Sequence, residues 1–163
     1  MLYLTSEQRR QIEAHGEQGY PDEICGFLIG TSRGEEKTVV RVTPIENDWG
    51  ALEDAEPEFV GESRRRRFYI SPDAYDKAER EVRQEGLGII GFYHSHPDHL
   101  ALPSSHDLAQ AQKIFPGYSY IIVAVHGRKA VDMTSWVLRD DYSQFDSEVI
   151  DWPPIKREAS SRA

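Results

Sequence analysis

The chain has almost no cysteine: Cys25 is the only one. An internal disulfide is therefore excluded, as is a zinc site of the Pro-Cys-x-x-Cys type used by deaminases. A reducing cytoplasm is the expected compartment. Long hydrophobic runs are also missing. None approaches the ~20 residues of a membrane span, and Met1-Leu2-Tyr3-Leu4-Thr5 is not followed by a signal-peptide core. Positive charge is in deficit, with 19 Lys and Arg against 28 Asp and Glu and a formal net charge of −9. A nucleic-acid binder would carry a basic surface, so neither nucleic acid nor membrane is an expected partner. Arg64-Arg65-Arg66-Arg67 stands out from the acidic background. It follows Glu53, Asp54, Glu56, Glu58 and Glu62, so it reads either as a neutralised, solvated loop or as a contact for an acidic partner.

What is present suits a single soluble domain over residues 1–150, large enough to bury a core, with a flexible tail over 151–163. Thr5 with Gln8 forms a capping-box pattern, and the helix it opens should end near Gly16 or Gly19, before Pro21. Residues 24–30 form a short apolar run and 37–42 a β-branched one, a predicted hairpin of buried strands. Residues 47–62 lack periodicity and read as a long loop. A strand is predicted over 67–70. Ser71-Pro72 opens a second helix through Tyr75, Ala78 and Val82 to Gln84, stopped at Gly86.

Residues 87–93 read as the central strand. Ser104 opens a third helix, with Leu108, Ala111 and Ile114 or Phe115 inward and its end by Pro116-Gly117. Residues 118–125 read as a strand covered on both faces, 130–138 as its antiparallel partner and 145–150 as a last edge strand. Strands alternating with helices give an α/β sandwich with a mixed sheet.

The central strand delivers His94 and His96. Side chains alternate along a strand, so the two imidazoles face one way, half of a tetrahedral metal site. Asp107, beyond a proline-containing loop, can add an oxygen and leave a fourth position for water, the arrangement of a metallohydrolase. Each half has a plainer reading, because paired histidines are common and Ser104 with Asp107 is a serviceable capping box. Together, after a buried strand and within one loop, they are far more specific. The string His94-Ser95-His96-Pro97-Asp98-His99 also matches metallo-β-lactamase-like hydrolases. That fold needs further ligands well downstream, where only His106 and His126 follow. Cys25 reads as a buried hydrophobe rather than a nucleophile. His99 and His106 fall outside the ligand pattern, near the rim, while His15 and His126 read as surface residues.

His94-Ser95-His96, seven residues, Ser104, two residues and Asp107, with Pro21-Asp22-Glu23-Ile24-Cys25-Gly26 upstream, resembles the JAMM (MPN-type) zinc metalloproteases. Gly91-Phe92-Tyr93 and Ser135-Trp136 extend the resemblance over most of residues 1–150. It implies a three-layer α/β sandwich with helices flanking a mixed sheet, of the MPN, cytidine-deaminase-like kind. It also implies one Zn²⁺ per chain on His94, His96 and Asp107, with Glu23 as general acid–base and Ser104 as oxyanion donor.

The compact chain resembles small prokaryotic-type members of the family. Their expected substrates are ubiquitin-like, sulfur-carrier proteins, cut at a peptide or isopeptide bond after the C-terminal glycine. An extended tail could lie against a strand edge beside the metal. Two readings stay open here: a non-catalytic scaffold of the same fold, and homodimerisation through a helix face.

Overall fold

The computed structural model describes residues 1–47 and 68–152. The arginine run, most of the 47–62 loop and the residues after Trp152 lie outside them. The elements are β1 (Leu2–Tyr3), α1 (Ser6–Gly19), β2 (Cys25–Arg33), β3 (Glu36–Ile45), α2 (Pro72–Arg83), β4 (Gly88–Pro97), α3 (Ser105–Ala111), β5 (Ser119–His126), β6 (Lys129–Leu138), β7 (Phe145–Glu148) and β8 (Ile150–Asp151). The strands form one mixed sheet in the order β7-β6-β5-β4-β2-β3-β1-β8. β4 and β5 are parallel and joined by α3, whereas β2 runs antiparallel to both β3 and β4.

The helices begin where the sequence signals them. Thr5 Oγ1 accepts from the Gln8 amide at 3.0 Å and Gln8 Oε1 from the Thr5 amide at 2.9 Å, so two orphan donors are satisfied reciprocally. Ser71 caps α2, Pro72 takes its first position, and Gly86 turns the chain beyond it at φ 74°.

The core is divided by the sheet. On one side α1 buries Ile12 against Leu2, Leu28, Ile121, Val123 and Val125, each worth about 1.5–3 kcal/mol on full burial. Gly16 permits this approach, because a Cβ there would stand 2.9 Å from Val125 Cγ2. On the other side Val82 of α2 and Ala111 of α3 pack with Phe27, Phe92 and Tyr120. Helix, sheet and helices make the expected three-layer α/β sandwich.

Three expectations need correction. Residues 68–70 are not a strand. The Tyr69 amide goes to Asn47 Oδ1 and the Phe68 carbonyl receives Gln110 Nε2, so side chains, not a ladder, satisfy this backbone. The third helix stops at Ala111. Its next turn tightens through i→i−3 bonds from Lys113 and Ile114, leaving Ile114 partly buried and Phe115 77% exposed. The last edge strand is two strands. β7 pairs with β6 and β8 with β1, so the opposite edges of the sheet are joined through Val149 and the sheet curls round. A buried polar cluster lies near this seam: Lys37 Nζ donates to Ser119 Oγ at 3.0 Å and pairs with Glu148 Oε2 at 3.4 Å. Ser119 and Ser135 donate to Glu148 Oε1 at 2.7 and 2.9 Å. Each charge has partners, which makes its burial tolerable.

Candidate metal centre

Alternation along β4 sorts its residues between the two sides of the sheet. Tyr93 joins the α1 core, and Ser95 accepts from the Ile24 amide at 2.9 Å. Phe92, His94 and His96 point the other way, toward α3. Register places Ile122 and Ala124 of β5 beside the two histidines. Ala101 packs on that same pair, folding the loop of residues 98–104 back over the strand end. Thr134 Oγ1 donates to the Ala101 carbonyl at 2.6 Å, and the Asp98 amide donates to Val125 at 2.7 Å. A loop pinned at these points returns the chain to the histidines at Ser104.

Ser104 then caps α3. Its Oγ accepts from the Asp107 amide at 3.1 Å, and its own amide donates to Asp107 Oδ2 at 2.9 Å. The capping box therefore does two things: it starts the helix and aims the Asp107 carboxylate at the histidines. His94 Nε2 and His96 Nε2 are 3.1 Å apart, and they lie 3.2 and 3.1 Å from Asp107 Oδ1 and Oδ2. All three residues are buried. Ligand atoms on adjacent corners of a tetrahedron around zinc should be about 3.3 Å apart, given bonds of ~2.0–2.1 Å. Two imidazoles and a carboxylate thus converge with one ligand atom from each within 4.8 Å of the others, and the donor set fits zinc.

The protonation states follow from burial and proximity. Burial would raise Asp107, but the two imidazoles outweigh it and hold the carboxylate well below its usual range. Complete burial lowers His94, against the pull of Asp107. Burial also opposes protonation of His96, yet Asp107 and the Leu100 carbonyl together raise it above its ordinary value. The Leu100 carbonyl lies 2.8 Å from His96 Nδ1, which turns the opposite nitrogen toward the common point.

Glu23 lies just before β2. β2 is antiparallel to β4 with Cys25 opposite His94, and the Ser95 amide bonds the Ile24 carbonyl at 3.1 Å. Glu23 itself is 6% exposed. The structure thus brings His94, His96, Ser104 and Asp107 together, and Glu23 is buried two residues before Cys25, where the chain enters β2. His99 is exposed, and its carbonyl lies 3.0 Å from His126 Nε2. His106 meets Gln110. His15 is not a plain surface residue: it is half buried, 2.8 Å from the Tyr93 hydroxyl. Sequence reasoning missed Phe68, whose ring stacks on His94 at 4.4 Å between centroids. No spacing pattern connects residues so far apart.

Residues 5–139 match the family model described as prokaryotic homologs of the JAB domain. The desampylase of Haloferax volcanii is 31% identical over 131 residues, covering 78% of this chain and 83% of that protein. A probable TtuB-protein conjugate cleaving protease of Thermus thermophilus is 29% identical over 130 residues, covering 80% and 74%. The solution structure of a Desulfitobacterium hafniense protein superposes with a TM-score of 0.74 at 29% identity, covering 94% of this chain and 93% of that one.

Proposed function

This chain belongs to the prokaryotic homologs of the JAB domain, and from that membership we propose that it is a zinc-dependent isopeptidase releasing ubiquitin-like, sulfur-carrier-type proteins from their conjugates. The relatives named for desampylation and TtuB-conjugate cleavage support the substrate class. The single observation that carries the chemistry is the buried convergence of His94, His96 and Asp107 at 3.1–3.2 Å.

His94, His96 and Asp107 would hold one zinc ion and leave a fourth position open. Bound there, zinc supplies Lewis acidity toward the scissile carbonyl and lowers the pKa of water toward neutrality. Glu23, buried just before the adjoining strand, takes the proton from the attacking water and passes it to the departing lysine amine. Ser104 Oγ uses a lone pair for the Asp107 amide. Its single O–H remains to donate to the substrate carbonyl oxygen as negative charge grows there. The pinned 98–104 loop keeps these groups in place before substrate arrives, so little reorganisation accompanies the reaction.

The ubiquitin-like tail, ending in small residues, would enter extended beside the strand ends. Among the described residues no helix is long and apolar enough to cross a membrane, and the acidic charge disfavours nucleic acid. We assign the protein to the cytoplasm.

Metal analysis and conjugate cleavage test the reading together. Wild type purified without added metal should carry about one zinc per chain and cleave an isopeptide-linked carrier conjugate. His96→Ala should lose both. A folded wild type that neither holds nor takes up zinc would refute the proposal.

A further inference from the structure

A histidine's terminal torsion is broad, so its rotamer alone does not fix the plane of the ring. His96 has the Leu100 carbonyl to fix it. On His94 lies the Phe68 ring, with centroids 4.4 Å apart and planes 22° from parallel; Phe68 itself is 5% exposed. Phe68 belongs to no helix or strand, yet side-chain amides from two directions hold its backbone. Gln110 Nε2 donates to the Phe68 carbonyl at 2.7 Å, from the helix turn that follows Asp107. Asn47 Oδ1 accepts from the Tyr69 amide at 3.1 Å, while Asn47 Nδ2 donates to the Glu23 carbonyl at 3.0 Å.

We propose that Phe68 is a positioning residue of the metal centre: clamped by Asn47 and Gln110, it fixes the His94 ring and ties the backbone at Glu23 to the helix that carries Asp107. The assignment rests on the zinc-peptidase reading above. Its physical content is that one aromatic ring, gripped from both halves of the site, holds ligand and acid–base group in a common frame. Outer partners of metal ligands typically change metal affinity 10–100-fold when removed. A flat ring is required, since a branched side chain of similar bulk fills the space without setting the imidazole plane.

The experiment compares wild type, Phe68→Leu, Phe68→Tyr and Gln110→Ala, all checked for folding by circular dichroism. Zinc affinity is read by competition with a chromophoric chelator, and ligand geometry by the visible spectrum of the cobalt-substituted protein. Phe68→Leu should weaken zinc roughly 10–100-fold, shift the cobalt bands and lower kcat more than it raises KM. Phe68→Tyr should restore affinity and spectrum to within about threefold, a margin small beside that outer-partner effect. Gln110→Ala, a change at a partly buried helix position that leaves the apolar core intact, should move the cobalt bands in the same direction, and it decides the matter if Phe68→Leu does not fold. Unchanged zinc affinity and cobalt bands in folded Phe68→Leu and Gln110→Ala, beside a zinc-loaded wild type, would overturn the positioning role and leave the peptidase reading standing. A wild type that binds no zinc would remove both.

Discussion

Replacing Ser104 separates two jobs that one hydroxyl performs. As an N-cap, Ser104 Oγ satisfies the Asp107 amide at 3.1 Å; losing such a cap to alanine costs typically ~1 kcal/mol. For a domain of this size that is roughly 2–4 °C in Tm, too little to unfold a protein with about 5–15 kcal/mol of stability. As an oxyanion donor, the same hydroxyl is worth roughly 10²–10³ in kcat, about 2.7–4 kcal/mol of barrier. The Asp107 carboxylate keeps the Ser104 backbone amide at 2.9 Å in any variant, so zinc content should hold near one per chain. Ser104→Gly sharpens the comparison, because glycine at an N-cap costs only a few tenths of a kcal/mol. Ser104→Ala and Ser104→Gly should therefore differ in Tm but lose activity alike, while Ser104→Thr recovers most of it. The assay is turnover of a ubiquitin-like carrier linked through its terminal glycine to a fluorescent lysine peptide, with Tm and zinc measured on the same samples. Zinc-loaded Ser104→Ala retaining kcat within about threefold, against the 10²–10³ expected, would refute the donor role.

Glu23→Gln keeps the size and burial of the side chain but removes the base. It should retain zinc and lose about 10²–10⁴ in kcat/KM, and near-normal turnover would end the acid–base assignment. Zinc binding should depend on pH in a defined direction. In the metal-free protein His96 holds its proton to a pH above the ordinary 6.5, and zinc must displace that proton. Affinity should therefore be flat at alkaline pH and fall about tenfold per unit below the His96 pKa. Chelator competition between pH ~5.5 and ~8 checks this against the titration window of histidine, and a pH-independent affinity would contradict it.

Four of the five candidate site residues were legible because their arrangement is local. His94 and His96 share a face by strand alternation, and Asp107 is aimed by a capping box that begins at Ser104. The helix starts at Thr5 and Ser71 were readable for the same reason, since a cap is a contact among near neighbours. The predicted strand at 67–70 failed because the amides of Asn47 and Gln110 captured that backbone. The predicted strand at 145–150 failed because a curled sheet takes one segment at both of its edges.

The sequence by itself therefore determined the candidate metal ligands, their spacing and the helix that carries the third. The family resemblance pointed to Glu23, and only the tertiary structure set the segment that carries it beside β4, through the antiparallel register that places Cys25 against His94. It also decided that Phe68 stacks on His94 and that Lys37 meets Glu148 across more than a hundred residues. Periodicity and capping act over a few residues, whereas strand order and register are settled by which distant apolar faces bury one another.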